Sequence, residues 1–426
     1  MDNFFLSPIL RAPLIGSMLM CLASSLLGVL LFVRKKSLLA ESLSHSTYPG
    51  VIFGVLCAIA CGCEKWLPCF ILFGGFCTAL LGAFSIHFLK ERMKIREDAA
   101  LCFVLASFFG VGVTLVSRVQ VLFPAHVRSI QGYLYGQAST MSDIHILLYG
   151  SFACVILLAL FLFYKEFFSL SFDPQFSHVS GLGGKGIDFL LLTLVVLSVV
   201  IGSRCVGVVL MSAMLIAPAI AARRLTQRLS TMFIISGLIG IMSAFAGCQI
   251  SFHVRKTFPT GPVIVLIAST LAFLTLFFAP GQGLLIRYFR IGGFRLRCIE
   301  ENLLKALWRR SSLSFAEMRA CGIPFFPLLF ILVSLRAKKW IKRSEKKFHI
   351  TPEGHLRAGE IIRLHRLWEV YLVEYLGIKA ERVHKSAEEM EHILTPELER
   401  DLTKLLGDPL LDPHDQPIPK RSEVYG

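Results

Sequence analysis

Acidic residues are absent from a long part of this sequence. Between Phe189 and Ile299 there is no Asp or Glu, whereas charged residues are dense from Glu300 onwards. The whole chain of 426 residues is 17% charged, with 44 Lys and Arg against 29 Asp and Glu, while soluble domains are about 25% charged. Two regions in different solvents are therefore predicted: a membrane unit and then a soluble domain of ordinary composition.

The sequence also lacks a nucleotide-binding loop. The segment Gly181–Gly186 is rich in glycine, but a phosphate-binding loop needs a Gly where Val179 stands and a Ser or Thr in place of Gly186. No Walker-type motif and no nucleophile–base set occurs elsewhere. The chain is therefore not expected to be an enzyme, and ATP hydrolysis is expected on a separate subunit.

Apolar runs dominate the first two thirds of the chain. They predict an all-α polytopic membrane domain of about nine transmembrane helices, although several runs are shorter than the roughly 20 residues that a crossing needs. The runs cover residues 12–33, 50–63, 66–89, 99–117, 144–163, 187–204, 205–222, 231–251 and 261–279.

Clusters of basic residues predict how this domain is oriented in the membrane. With nine spans and an external N-terminus, the clusters at 34–36, 90–96, 223–228 and 287–297 all fall on one side. Lys and Arg are enriched in cytoplasmic loops, so this side is predicted to be the cytoplasm. The protein is then expected in the bacterial inner membrane, with its C-terminal region in the cytoplasm.

A carboxylate and an imidazole stand at the head of one apolar run. Glu41 and His45 are four residues apart in ESLSHSTYPG, and on a helix they face the same way. They could contact a cation in transit. The alternative is a capped helix start with a structural histidine.

Five motifs resemble the metal-ion ABC permeases, which import manganese, iron or zinc. They are ESLSHSTYPG, YLYGQAST, FDPQFSHVSGL, VGVVLMSAMLIAPAIAARRLT and TGPVIVL. The resemblance implies a second permease subunit, an extracytoplasmic metal-binding protein and a cytoplasmic ABC ATPase. The ATPase is expected to dock on Ala221–Ser230, which carries Arg223, Arg224 and Arg228.

Residues 299–351 are predicted to form a winged helix-turn-helix. Helices are expected at 300–310, 314–320 and 327–339, and two short strands at 340–343 and 348–351. A basic cluster could contact DNA phosphates or lie as a solvated linker near anionic lipid headgroups. Its members are Arg336, Lys338, Lys339, Lys342, Arg343, Lys346 and Lys347.

Metal-ligand residue types recur in the last part of the chain. One stripe at helical spacing contains His384, Glu388, Glu391 and His392, and His365 and Glu369 form a second pair. Mixed nitrogen and oxygen ligands suit Mn²⁺, Fe²⁺ or Zn²⁺. A solvated charged face is the alternative.

Residues 351–419 resemble the metal-dependent repressors of the diphtheria-toxin-repressor and manganese-repressor family. The resemblance implies a homodimer that binds promoter DNA and holds metal through His365, Glu388, Glu391 and His392. His384 and Glu369 match ancillary ligands, and Glu301 matches a carboxylate that completes the site. Two positions depart from the pattern: Leu304 replaces a second acid, and the recognition-helix stretch Ile323–Leu335 is almost wholly apolar.

Together the two resemblances imply a permease–repressor fusion similar to the permease–repressor proteins of chlamydiae. The expected domains are the permease at 1–286, a basic juxtamembrane linker at 287–298, the winged helix-turn-helix at 299–351 and the metal-sensing and dimerisation domain at 352–426. Gly292 and Gly293 predict a flexible point in the linker where proteolysis could release the repressor. The alternative is a tail that senses metal and inhibits transport directly, without binding DNA.

Overall fold

The chain forms two compact units, Met1–Ile286 (unit 1) and Arg287–Gly426 (unit 2). A computed structural model gives this architecture. It describes residues 8–124, 127–136, 138, 141–179, 184–253, 259–320, 322–379, 383 and 396–420.

Unit 1 is helical throughout its described residues. Eight of its helices (α1–α4, α6 and α10–α12) are long and apolar enough to cross a membrane. The ninth expected span, 187–204, corresponds to the shorter apolar helix α9. The central helix α1 packs against α6, α9, α10 and α11. The helices are α1 Pro8–Val33, α2 Ser37–Ala60, α3 Leu67–Glu91, α4 Glu97–Leu122, α5 Val127–Tyr135, α6 Asp143–Leu162, α7 Tyr164–Phe172, α8 Pro174–Val179, α9 Lys185–Gly202, α10 Val208–Leu225, α11 Leu229–His253 and α12 Thr260–Phe278.

Helix α9 also runs the length of unit 1, although its apolar part of 17 residues, Gly186–Gly202, is short. Near its start, Asp188 pairs with Arg34, which directly follows α1. Just beyond its end, Arg204 acts electrostatically on His145 in the first turn of α6. The start of α6 in turn lies beside the start of α1, because Arg11 and Asp143 are 2.6 Å apart. Helix α9 is therefore antiparallel to α1, and its apolar part spans about 26 Å.

The expected span at residues 50–63 is only the second half of a helix. Helix α2 begins at Ser37, so the Glu41–Gly50 segment is helical and not a loop at the head of the span. Its hydroxyl groups made this half of α2 invisible to a search for apolar runs, but three of them are hydrogen-bonded inside the unit. Ser46 and Thr47 donate to carbonyls one turn back at 2.7 and 3.0 Å, and Ser42 donates to the Leu101 carbonyl of α4 at 3.1 Å.

Three glycines bring the ends of α5, α10 and α12 into backbone contact. A Cβ atom on Gly136 would lie 2.3 Å from the Val206 carbonyl carbon, and one on Gly261 would lie 2.6 Å from the Val206 oxygen. Gly207 has φ +102°, and a Cβ there would lie 2.6 Å from the Leu134 oxygen. Only glycine fits such positions without strain, so the YLYG, VGVV and TGPV motifs form one junction.

Unit 2 combines helices with a small antiparallel sheet of strand order β1-β3-β2. Leu313 of β1 and Arg343 of β2 both pair with Phe348 of β3. Strand β1 was not expected from the sequence, because three residues carry no periodicity. The elements are α13 Leu284–Arg310, β1 Ser312–Ser314, α14 Phe315–Ala320, α15 Phe325–Ala337, β2 Ile341–Ser344, β3 Lys347–Ile350, α16 Pro352–Glu374 and α17 Pro396–Leu405.

Helix α14 begins with a capping box. Glu317 accepts a hydrogen bond from the Ser314 amide at 2.7 Å, and the Glu317 amide donates to the Ser314 hydroxyl at 3.3 Å. The bond from the Ser314 amide lowers the pKa of Glu317 below its usual value. This box fixes the turn between β1 and α14.

The expected flexible point at Gly292 and Gly293 is wrong, because residues 287–298 lie inside the continuous helix α13. The two glycines cost helix stability, about 1 kcal/mol each relative to Ala. Their neighbours Ile291, Phe294 and Arg295 are compatible with a helix, and it passes through both positions.

Candidate functional sites

Helix α2 places Glu41 and His45 one turn apart, and both side chains are partly buried. The His45 ring forms a T-shaped contact with the Phe109 ring of α4, with centroids 4.8 Å apart at an interplanar angle of 81°. Among the described residues no group bonds the buried Nδ1 of His45. A carboxylate and an unbonded imidazole nitrogen on one side of a helix are donors that a divalent transition metal can use.

The basic segment Ala221–Ser230 forms the turn between α10 and α11. Ala221 and Ala222 are fully buried, whereas Arg223 and Arg228 are exposed. Arg223 donates to the Gln227 carbonyl at 3.1 Å, which keeps the turn tight. Unit 1 therefore presents a compact cationic turn to any partner at this end.

Helix α16 carries two of the predicted metal ligands in its buried face. His365 Nε2 lies 3.2 Å from Glu369 Oε1, and both side chains are almost completely buried. Glu301 of α13 lies 3.3 Å from Arg357 of the same helix α16. The structure therefore brings His365 and Glu369 into contact. Glu301 contacts Arg357 of α16 and not the His365–Glu369 pair.

The four other predicted ligands, His384, Glu388, Glu391 and His392, lie outside the described residues. Within the residues that the structure does describe, no group of three His, Cys, Asp or Glu side chains could hold a metal. The assignment of these four ligands stays a prediction.

A buried arginine network beside His365 was not expected from the sequence. The side chain of Arg363 is 1% exposed and lies 3.0 Å from Glu399 and 2.8 Å from Asp408. It also donates to the Pro419 carbonyl at 2.7 Å. The available signal was an arginine among the apolar residues of α16, because a buried charge needs partners.

Arg366 adds a second link from α16 to the C-terminal segment. It lies 3.3 Å from Asp412 and donates to the Pro417 carbonyl. The two arginines stand on either side of His365 in the sequence. Residues 408–419 are therefore fixed to the part of α16 that carries the His365–Glu369 pair.

Strands β2 and β3 and their turn form a basic hairpin, with Lys342, Arg343, Lys346 and Lys347 all exposed. Lys338 differs from them, because its ammonium group pairs with Glu300 at 2.6 Å and lies 4.8 Å from the centre of the Trp340 ring. The Lys338 ammonium group is therefore already paired within unit 2. The exposed cations of the hairpin are better placed to bind an anionic partner.

Helix α15 buries one side and exposes the other, and both sides are apolar. Leu328, Ile331, Leu332 and Leu335 are buried in the core of unit 2. The opposite side, which we call the α15 apolar face, consists of Phe326, Leu329, Phe330 and Val333. Phe326 is 82%, Phe330 64% and Val333 68% exposed.

Comparisons with known proteins divide the chain in the same way. Residues 7–279 match the family model "ABC 3 transport family". Residues 351–420 match the model "Iron dependent repressor, metal binding and dimerisation domain".

Two curated relatives and one solved structure extend this likeness. A probable metal transport system membrane protein of Chlamydia trachomatis is 37% identical over 447 residues, covering 99% of this chain and 97% of the relative. The manganese transport system membrane protein MntC of Bacillus subtilis is 34% identical over 372 residues, covering 86% and 84%. The structure of PsaBC from Streptococcus pneumoniae in complex with Fab matches with a TM-score of 0.58 at 25% identity, covering 68% of this chain and 98% of that one.

Proposed function

Because this chain belongs to the ABC 3 transport family, we propose that it is the permease subunit of an importer for manganese, iron or zinc. The eight apolar helices make it a multi-pass membrane protein. The relatives from C. trachomatis and B. subtilis are membrane proteins of metal transport systems. The observation that carries the metal assignment is the placement of Glu41 one helical turn from the unbonded Nδ1 of His45 on α2.

Glu41 and His45 line the transport path in this proposal. Polar residues in a membrane-spanning helix are costly and mark ion pathways. The hydroxyl groups of Ser42, Ser46 and Thr47 on α2 donate to carbonyls of the protein. The donors left for a passing cation are His45 Nδ1 and the Glu41 carboxylate, beside the Ser44 hydroxyl, which like His45 Nδ1 has no hydrogen-bond partner among the described residues. Two donors bind weakly, and weak binding suits an ion that must leave again.

Uptake of ⁵⁴Mn²⁺ into proteoliposomes tests the path. The full chain is reconstituted with its ATPase and metal-binding protein, and Glu41→Gln and His45→Ala are compared with His87→Ala, a change to an exposed histidine of α3. Both path variants should lose most uptake, whereas His87→Ala should retain it. Equal uptake by all variants would remove Glu41 and His45 from the path.

Three partners follow from this role: a cytoplasmic ABC ATPase, a second permease subunit and an extracytoplasmic metal-binding protein. The ATPase would contact the turn Ala221–Ser230.

Replacing Arg223 and Arg224 with Glu should leave the ATPase hydrolysing ATP while metal uptake falls, because the altered turn can no longer bind the ATPase. Wild-type uptake by this double variant would show that the contact lies elsewhere.

For unit 2 we propose a metal sensor that acts as a repressor. The match of residues 351–420 to the iron-dependent repressor domain supports metal binding and homodimerisation. His365 and Glu369 supply one imidazole and one carboxylate, and these donor types suit Mn²⁺ or Fe²⁺. His384, Glu388, Glu391 and His392 would complete the site, and Glu301 could join it only by leaving its ion pair with Arg357.

The basic hairpin favours promoter DNA as the target of this sensor, through a winged helix built from α13–α15 and the sheet. The exposed apolar face of α15 favours a second candidate function, in which the sensor inhibits transport directly, because this face has few groups to hydrogen-bond base edges.

Fluorescence anisotropy of labelled promoter DNA with the full chain in nanodiscs, measured with Mn²⁺ and with chelator, distinguishes the two functions. Metal-dependent binding that Lys342→Glu with Arg343→Glu abolishes supports the repressor. No binding, together with metal-dependent loss of uptake, supports direct inhibition.

A further inference from the structure

We propose that unit 2 docks on an anionic lipid surface through the α15 apolar face and the basic hairpin. This surface and this partner are independent of which metal unit 2 senses. The argument rests on side chains that are exposed within unit 2, on the cations that flank them and on the membrane unit in the same chain.

The α15 apolar face is unusual for a protein surface facing water. Leu329 and Phe330 lie three and four residues after Phe326, and Val333 lies seven after it, so the four side chains form one stripe along the helix. Exposed contiguous apolar patches mark interaction sites. The buried side of α15 already fills the core of unit 2, and Phe326, Phe330 and Val333 leave most of their side-chain surface outside the internal packing of the unit.

Cations lie at both ends of this stripe. At its start, the Arg319 guanidinium lies 6.0 Å from the centre of the Phe325 ring. At its end, Arg336 follows Val333 by one helical turn, and the basic hairpin begins a few residues later. Apolar side chains bordered by Lys and Arg are the composition of helices that lie in the membrane interface.

A second segment of unit 2 has the same composition. The first turns of α13 expose Tyr288, Phe289 and Phe294 among Arg287, Arg290 and Arg295. Aromatic rings and arginines are both favoured at the level of lipid headgroups. Only residues 279–283 separate this helix from the membrane-spanning α12, so a bilayer is always within reach of unit 2.

Other occupants fit less well. A second copy placed on the stripe would bring Arg319 and Arg336 towards like charges, which is unfavourable. DNA phosphates would contact the cations, but most of the apolar stripe would stay exposed to water. An anionic bilayer accepts both, since acyl chains take the apolar stripe and headgroups take the cations. Lipid and DNA then compete for one surface.

Tryptophan quenching in the full chain tests the proposal. Phe330→Trp places a reporter in the stripe, and Leu356→Trp places a matched reporter at an exposed apolar position of α16. Both variants are reconstituted in nanodiscs with phosphatidylglycerol or with phosphatidylcholine alone, carrying brominated acyl chains, and the emission of the wild-type chain is subtracted.

We expect Phe330→Trp to emit at shorter wavelength and to be quenched by bromine in phosphatidylglycerol, with Leu356→Trp unaffected. Adding Lys342→Glu and Arg343→Glu should lower the docked-to-free ratio by about fivefold per cation. Equal quenching of the two reporters would overturn the proposal. Short-wavelength emission without quenching in either lipid would also overturn it, because protein and not lipid would then cover the stripe.

Discussion

The buried guanidinium of Arg363 joins three parts of unit 2. It connects α16 to Glu399 of α17, to Asp408 and to the Pro419 carbonyl. Removing one member of a buried ion pair leaves the other charge without compensation, which costs about 3–5 kcal/mol. Arg363 therefore holds the scaffold of the predicted metal site while taking no part in metal binding.

Arg363→Ala should destabilise unit 2 by about 3–5 kcal/mol, while Lys404→Ala, which removes an exposed cation from α17, should change stability by less than about 0.5 kcal/mol. Amide exchange of α16 and α17 in the full chain, followed by mass spectrometry, measures both. Equal exchange in the two variants would show that the Arg363 network contributes no net stability.

Gly207 carries a comparable constraint in unit 1. Its φ of +102° and the close Leu134 oxygen leave no room for a side chain. Gly207→Ala should therefore cost about 1–3 kcal/mol and lower the melting temperature of unit 1 in detergent. Gly110→Ala is the control, because Gly110 lies in α4 with open space around it. A melting temperature unchanged by Gly207→Ala would mean that the junction of α5, α10 and α12 can relax.

The sequence predicted which residues of one helix share a face, but not the contacts that join different elements. Spacing on a helix predicted that His365 and Glu369 share a face, and the 3.2 Å contact places them together. The partners of Arg363 lie 36 to 56 residues away, and no local pattern connects such positions. The pairing of Lys338 with Glu300 was missed for the same reason.

At the scale of elements, hydropathy located the apolar helices but misplaced the start of the polar helix α2. Helix α2 was recognised only from residue 50, because its first half contains Glu41, His45 and several hydroxyl residues. These groups are accommodated by helix packing, which composition does not report. The strands of the basic hairpin were predicted within one residue, since basic residues and a turn separate two apolar positions.

Helix α13 offers a direct test at this scale. Gly292 and Gly293 have open space for a Cβ atom, so Gly292→Ala with Gly293→Ala should stabilise α13 by about 1 kcal/mol per site. Amide exchange of residues 287–298 should slow by up to about 30-fold, and any proteolytic release of unit 2 should slow with it.

Gly281→Ala is the opposing control for this test. Gly281 lies in the turn before α13 with φ +78°, where an alanine is strained, so exchange there should become faster. Unchanged exchange across residues 287–298 in the double alanine variant would show that the glycines do not limit the stability of α13.

At the scale of the whole molecule, the change in composition at Glu300 predicted two solvent environments, and the chain forms two compact units that meet at Ile286 and Arg287. Charge density indicated a change at Glu300 but not that one helix continues through this position. Helix α13 runs from Leu284 to Arg310 and contains Cys298 and Glu300 alike.

The central claim is that a divalent metal is the ligand of both units. Equilibrium Mn²⁺ binding to the full chain in nanodiscs tests it most directly, with Glu41→Gln and His45→Ala in one variant and His365→Ala and Glu369→Gln in another. Each pair should weaken one class of sites at least as much as the roughly 10–100-fold seen for outer-shell changes and leave the other class intact, and the combined variant should weaken both. Binding that neither pair alters would contradict the account.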